Sequence, residues 1–266
     1  MNTPFLSIIT ITKNNIAGLK RTHASIIKQS TQNYEWIIID GASEDATSSY
    51  INKHNLIAIS EEDNGIYDAM NKGIERSNGQ YILFLNAGDA LYASNTIEKL
   101  QEYNTDNNAL IYGDSIEAQH YKPAKSHLSL AQGLFTHHQS ILYKTEIIKT
   151  MRYDSAYKIA ADYELTIHFI RKAKELNLNI AYVPIAISIF EQGGVSQKNA
   201  ALGRKEQFEI RQRLQLCTPL QNQIIYNAQK FIWAFRQYCP NLYWHLKSSG
   251  NIATLKAQNQ TPQNHQ

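Results

Sequence analysis

Residues 61–89 read EEDNGIYDAMNKGIERSNGQYILFLNAGD. A Gly-punctuated acidic segment leads through a short helical pattern, Tyr67–Arg76, into the apolar run YILFL at 81–85. That run stops on Asn86, Ala87, Gly88 and Asp89. Oxygen-bearing side chains at the carboxyl end of a buried strand are where open α/β sheets place their ligands. The segment is therefore a candidate for nucleotide and metal binding rather than for packing.

Toward the N-terminus, LSIITIT (6–12) is β-branched and apolar, which suits a buried strand. Ile16, Leu19, His23, Ile26 and Ile27 recur at helical spacing, giving an amphipathic helix that ends near Ser30. EWIIID (35–40) reads as a second strand, after which Ser43 is expected to cap a helix with Glu44 and Asp45 in its first turn. LIAIS (56–60) reads as a third strand. Asn95 with Glu98 resembles a capping box for a helix through Tyr103. This alternation predicts an α/β fold with a mainly parallel sheet flanked by helices.

Beyond ALIYGDS (109–115) the rhythm is less regular. Its features are His137 and His138, a strand SILY, and a helix after Asp162 with Leu165, Phe169 and Leu176 inward. A strand over 180–189 and a loop GGVS (193–196) follow. The expected organisation is one domain over residues 1–200, a basic helical extension over 201–250 and a frayed Gln/Asn-rich tail over 251–266.

At 266 residues, with 18% charged and 10% aromatic residues, the chain has a globular rather than a disordered composition. A net charge of +3 is too small to argue for a nucleic-acid groove. Cys217 and Cys239 form no CxxC pair, which makes the cytosol the default compartment. Met1–Pro4 lacks a basic n-region, and no apolar stretch has the roughly 18–20 residues needed to span a bilayer.

Each candidate residue has a plain alternative. Asp40 ends an apolar strand ahead of Gly41, so its carboxylate could accept a base imide N–H; otherwise it forms a turn. Asp89 offers a carboxylate and Asn86 an amide oxygen to a cation bridging phosphates, with Gly88 allowing close backbone approach. The alternative is a tight strand-end turn. Asp162, in KIAADYEL, is placed either to take a proton from an attacking hydroxyl or to cap its helix. His137 and His138 point to opposite faces if extended, so one buried and one facing the cleft is expected. His23 reads as core, and Lys72 as either a phosphate partner or a solvated helix lysine. Basic and aromatic residues interleave in QKFIWAFRQYCPNLYWHLK (229–247), which suits a helix lying in a membrane interface or one docked on the domain.

Taken together, SIITITKNN, DGASEDAT, DNGIYDAMNKG, FLNAGD and AADYEL, in this order, resemble the family 2 glycosyltransferases of GT-A fold over about residues 5–200. The subgroup carrying GIYDAMNKG, FLN-small-GD, HQ and GGVS contains enzymes of bacterial surface-polysaccharide assembly. The resemblance implies a general base at Asp162, a divalent cation (Mn2+ or Mg2+) at Asp89, and donor contacts from Thr12, Asp40, Asp68, Lys72, Asn86 and His138. It further implies inverting transfer from a nucleotide-sugar, UDP-linked by preference, to a glycan or lipid-linked acceptor. The expected location is cytoplasmic, peripheral at the inner face of the plasma membrane.

Three departures from the pattern stand out. Asn86 and Gly88 replace aspartates, Met70 replaces an arginine for which Lys72 is a substitute, and Ala161 replaces the acidic neighbour of the base. The lost carboxylates leave a catalytically silent sugar-nucleotide-binding scaffold as a second reading. A nucleotidyltransferase would carry a Gly- and Lys/Arg-rich phosphate loop after the first strand, of which TKNNIAGLKR is a poor version. A dinucleotide oxidoreductase is disfavoured because no G-x-G-x-x-G stands there.

Overall fold

The N-terminal half is a strand–helix alternation, because parallel neighbours such as the fully buried runs Leu6–Thr12 and Tyr81–Phe84 need a crossover helix to return in the same direction. A computed structural model describes residues 3–247; the expectations for the first two residues and for the 251–266 tail lie outside them. The order is β1 (Leu6–Thr12), α1 (Ile16–Ile26), β2 (Tyr34–Asp40), α2 (Thr47–Lys53), β3 (Ala58–Ser60), α3 (Ile66–Arg76) and β4 (Tyr81–Phe84). β5 (Ala90–Leu91), α4 (Thr96–Gln101), β6 (Asn108–Glu117), β7 (His120–Lys122) and β8 (Ile141–Lys144) follow. The chain continues through α5 (Thr145–Ile148), α6 (Ala161–Glu175), β9 (Asn179–Phe190), α7 (Val195–Lys198), α8 (Ala200–Arg213), α9 (Pro219–Tyr238) and α10 (Pro240–Lys247).

The sheet runs β3-β2-β1-β4-β8-β6-β9-β5, with β7 paired to β6. β3, β2, β1 and β4 are mutually parallel, as the alternation predicts. Beyond β4 the sheet becomes mixed: β8 runs antiparallel to both β4 and β6, and β6 pairs in parallel with β9. Side chains alternate along each strand. Ile9, Ile11, Ile82 and Phe84 face the core under α3 and α6, while Leu6, Ile8, Leu83 and Leu85 face Ile26, Ile97 and Leu100 on the other side. Gly73 lets α3 approach β1 closely, since a Cβ there would meet Cγ2 of Ile9 at 2.5 Å.

Several local expectations are corrected. α1 ends at Ile26, four residues before Ser30, as Gln29 turns to bond the Ala93 carbonyl and the Ile97 N–H. Ser43 caps no helix; α2 starts after Ala46, and Ser43 donates to Asp40 instead. The Asn95–Glu98 box is not made, because Glu98 accepts from Ser30 while Thr96 bonds Ala93; α4 stops at Gln101. Leu176 is half exposed, at 48%, where the helix period drifts off the core. GGVS contains the start of a single helical turn, α7, and not a loop alone. His23 is core as expected, bonded to Tyr50 and against Trp36.

Candidate active site

β1 sends its crossovers to one side, toward β2 and β3, while β4 lies on the other, so the strand order reverses between β1 and β4. Ligands in open α/β sheets bind at the carboxyl ends flanking such a reversal. Thr12 ends β1, and Asn86 follows β4 by two residues. Ala87 is tied to this edge by its N–H to the Ile11 carbonyl (3.1 Å) and by the Asn15 amide to its own carbonyl (3.2 Å). Oγ1 of Thr12 and Oδ1 of Asn86 are both buried without a hydrogen-bond partner. Unpaired buried oxygens are costly and uncommon, so the pair marks where a ligand's polar groups would be received.

The Asn86–Asp89 turn is held from below. The Thr22 hydroxyl donates to the Asp89 carbonyl (2.7 Å) and accepts from the Gly88 N–H (3.0 Å). Asp89 is 3% exposed; its Oδ2 accepts from the Gln139 amide at 2.9 Å, and its Oδ1 from the Glu191 N–H at 2.8 Å. Burial pushes its carboxyl up to about 7 against those two bonds, and the nearby Glu191 carboxylate adds to the rise. Gly88 has φ +108°, and a Cβ on it would meet the Glu191 carboxylate, which occupies the space above the glycine.

Asn86, Glu191 and Asp89 thus offer oxygen donors of the kind hard divalent cations prefer. Among the described residues no three His, Cys, Asp or Glu side chains converge into a closed cage. The donor set fits an open site in which substrate phosphate and water supply most ligands, as Mg2+ commonly uses.

Asp162 is placed by α6. It stands in the first turn and not at the cap, which is Ala160. Its Oδ1 accepts from the Tyr163 N–H at 2.8 Å and faces the Tyr67 hydroxyl at 3.4 Å, which donates to the Ile159 carbonyl at 2.6 Å. Burial raises the carboxyl to about 6; the Tyr163 and Tyr67 bonds pull it down, and the Glu206 carboxylate adds to the rise. A carboxylate half-ionised just below neutrality is suited to proton abstraction. The helix N-terminus that carries it is capped from outside: Glu206 of α8 accepts from the N–H groups of Lys158, Ile159 and Ala160 at 2.8, 2.9 and 2.8 Å.

The Asp89 and Asp162 regions are joined by a continuous aromatic path. Tyr67 stacks on Tyr153 (5.2 Å), whose hydroxyl is 3.0 Å from Nε2 of His138. His138 in turn stacks on Phe84 (4.9 Å), and the next residue, Gln139, bonds Asp89. A cavity of about 260 Å3 opens beside Tyr67, lined also by Asn64, Asp68, Tyr157, Ile159, Val195 and Leu202. A wider groove of about 590 Å3 along α6, lined from Met151 to Glu175, takes in Glu164 and Leu165 of AADYEL but none of the candidate site residues.

Four nominated residues are committed inside the protein. Asp40 reaches the right sheet edge, but its carboxylate is fully buried and accepts from the Ser43 N–H and hydroxyl and from the Ser60 hydroxyl at 2.6 Å. That is the turn-forming alternative. The Lys72 ammonium bonds Asp63 (2.7 Å), Glu61 (3.0 Å) and the Glu62 carbonyl (2.8 Å), with Asp68 at 3.6 Å. Burial pulls its pKa down, but these carboxylates outweigh that and raise it. Asp68 also accepts from the Asn64 N–H, and it borders the cavity. His138 is packed between Phe84 and Tyr153, and burial lowers its pKa to about 3, so it is neutral. His137 is the less buried of the two, 3.0 Å from Glu117 and stacked on Phe190.

Tyr67, Gln139, Glu191 and Glu206 are the contacts that the sequence does not announce. Only Tyr67 and Gln139 lie inside quoted motifs, GIYDAMNKG and HQ; the partners of all four are tens of residues away.

The sequence model of "Glycosyl transferase family 2" matches residues 7–182. The chain belongs to that family. A PGL/p-HBAD biosynthesis glycosyltransferase of Mycobacterium bovis is 30% identical over 209 residues, covering 74% of this chain and 80% of the relative. Among solved structures, S. aureus TarS 1–349 in complex with UDP-GlcNAc superposes with a TM-score of 0.63 at 14% identity, over 88% of this chain and 73% of that 1–349 chain. The mannosyltransferase PcManGT from Pyrobaculum calidifontis, in complex with GDP-Man and Mn2+, gives 0.62 at 14% identity over 97% and 80%. This family 2 chain is a glycosyltransferase with the GT-A architecture of those two structures. Among the described residues no helix is long and apolar enough to cross a membrane.

Proposed function

We propose that the protein moves a sugar from a nucleotide-sugar, UDP-linked by preference, to an acceptor hydroxyl with inversion, in bacterial surface-polysaccharide or glycolipid synthesis. The observation that carries this reading is the Asp162 carboxylate, raised to about 6 and 3.4 Å from the hydroxyl of Tyr67, which lines the 260 Å3 cavity. Asp162 takes the acceptor's hydroxyl proton as that oxygen attacks the anomeric carbon. The bond from that carbon to the donor phosphate breaks on the opposite side, and the nucleoside diphosphate leaves with the electron pair.

Asn86, Asp89 and Glu191 would hold a divalent cation, Mn2+ or Mg2+, which when bound supplies charge neutralisation for a diphosphate leaving group. Thr12 and Asn86, with their unpartnered oxygens, would contact the donor. The complexes of TarS with UDP-GlcNAc and of PcManGT with GDP-Man and Mn2+ support a nucleotide-sugar and a cation as ligands of this fold. The acceptor is a glycan or lipid-linked oligosaccharide, met at the cytoplasmic face of the plasma membrane.

The test is a panel of nucleotide-sugars offered to purified protein with and without Mn2+ or Mg2+, reading nucleoside diphosphate release and product anomery. A single donor class turned over with inversion supports the proposal; retention of configuration contradicts it. Asn86 and Gly88, in place of carboxylates, favour the scaffold reading. Donor binding without any release across the panel would select it.

A further inference from the structure

α9 is docked the wrong way round for a helix that only completes a core. Beside the Tyr226–Phe208 contact, its inward side is tied by hydrogen bonds spaced by seven residues. Asn222 accepts from Nε of the buried Arg211 (2.6 Å) and donates to the Phe208 carbonyl (3.0 Å). Gln229 donates to the Gln132 carbonyl (3.1 Å) and to Gln207 (2.9 Å), and Arg236 bonds the buried Glu117 at 2.7 Å. At about 100° per residue, Leu220, Ile224, Phe231 and Tyr238 fall within a sector of roughly 40° on the opposite side. They are 72%, 58%, 73% and 85% exposed. α10 extends the apolar surface with Leu242 and Leu246, 50% and 66% exposed.

Charge identifies what covers this face. Residues 219–247 contain Lys230, Arg236 and Lys247 and not one Asp or Glu. Lys125, exposed, and Lys122, partly so, stand near the α10 end, where Lys247 lies over Tyr243 (5.4 Å). A second copy of the chain would add its own Lys230 and Lys247 to a face that has no acid to pair with them, at an electrostatic cost. An apolar stripe that ends in Tyr238, flanked by lysines and free of acids, complements the headgroups and acyl boundary of an anionic bilayer.

We propose that the outer face of α9 and α10 is a membrane-docking surface for an anionic bilayer, with Leu220, Ile224, Phe231, Tyr238, Leu242 and Leu246 entering the interface. The inward polar seam then has a purpose: it fixes the helix to the domain while leaving every large apolar residue of the stripe for lipid. Arg236 fastens it to Glu117, which pairs with Phe190 beside the Glu191 that overlies Gly88. The docked surface is thereby attached to the sheet edge that carries the site, and an acceptor anchored in lipid would be met there.

The experiment is co-sedimentation of the full chain with vesicles of phosphatidylcholine alone and of phosphatidylcholine mixed with phosphatidylglycerol, at two salt concentrations. The wild type partitions with the phosphatidylglycerol vesicles, and less so at high salt. The double variant Phe231→Ser/Tyr238→Ser loses about tenfold or more in partition, from the apolar area withdrawn. It keeps the wild-type circular dichroism, since neither side chain contributes to the inward seam. Wild type left in the supernatant, equal binding to both vesicle types, or a double variant that binds as well as wild type would each overturn the proposal. So would a dimer that the double variant abolishes, without lipid binding. No turnover is read, so the outcome is separate from that of the transfer reaction.

Discussion

The Tyr67 hydroxyl, on the first turn of α3, faces Oδ1 of Asp162, on the first turn of α6, at 3.4 Å. Two motifs 95 residues apart in sequence meet there, and the meeting defines the environment of the carboxylate. Tyr67 opposes the burial that raises Asp162. Tyr67→Phe is expected to move the acid limb of the kcat/KM profile to higher pH and lower turnover by roughly threefold to tenfold, the scale of one hydrogen bond. Donor affinity stays near normal. A profile identical to wild type would remove Tyr67 from this part.

The wild-type profile has its own expected sign. The base must be ionised, and its carboxyl is raised to about 6, so activity rises from about pH 5 to about pH 7 and then levels on that limb. An acid limb near the ordinary aspartate value, about 4, would speak against Asp162 as the base.

Glu206 holds three consecutive N–H groups ahead of Asp162. Glu206→Ala leaves the buried Ala160 N–H and the two part-buried ones unpaired and is expected to cost about 2–3 kcal/mol in urea unfolding. Glu206→Gln recovers part of the loss, because an amide oxygen still accepts. Equal midpoints for Glu206→Ala and wild type would show that α8 does not organise the α6 N-terminus.

Asp89 gives a prediction in stability. Its folded pKa is raised to about 7 by burial, above the unfolded value, so its favourable contribution is complete below about pH 4 and is lost as pH rises through about 7. Wild type should therefore lose stability relative to Asp89→Asn between pH 4 and 8. The loss should reach a few kcal/mol, because each tenfold change in an ionisation equilibrium is worth about 1.4 kcal/mol. Mn2+ should return part of it at pH 8. Parallel curves for the two proteins, with or without Mn2+, would contradict a buried ionisable group at this position.

Gly88→Ala combines a left-handed φ with a methyl group directed at the Glu191 carboxylate. The backbone strain costs about 1–2 kcal/mol. Displacement of Glu191 should abolish the Mn2+-dependent part of donor binding measured by calorimetry, and Glu191→Gln should weaken the same part without the stability loss. Unaltered Mn2+ dependence in both variants would place the cation elsewhere.

The parallel half of the sheet is legible because LSIITIT, EWIIID and YILFL are apolar runs that allow no other burial, and Asp162 because an acid opens a periodic helix. What the sequence hides is tertiary. Asp40 looks like a projecting carboxylate until Ser60, twenty residues on, closes over it. Lys72 looks solvated until Glu61 and Asp63 fold back onto it. β8 reads as a strand in SILY, but its antiparallel direction depends on partners in β4 and β6. Ser43 caps no helix because its hydroxyl turns back to Asp40, the Asn95–Glu98 box is not made because Glu98 accepts from Ser30, 68 residues away, and α6 takes its cap from Glu206, 46 residues from Ala160.

The most direct test of the account is Asp162→Asn, a substitution that keeps the size and the Tyr163 contact but cannot accept the proton. Turnover with the cognate donor and acceptor should fall by about a hundredfold to ten-thousandfold, the range of general-base catalysis. Donor binding by calorimetry should stay within about threefold of wild type, well under 1.4 kcal/mol. Wild-type turnover in that variant would contradict the assignment of Asp162 as the base, and with it the transfer chemistry proposed for this site.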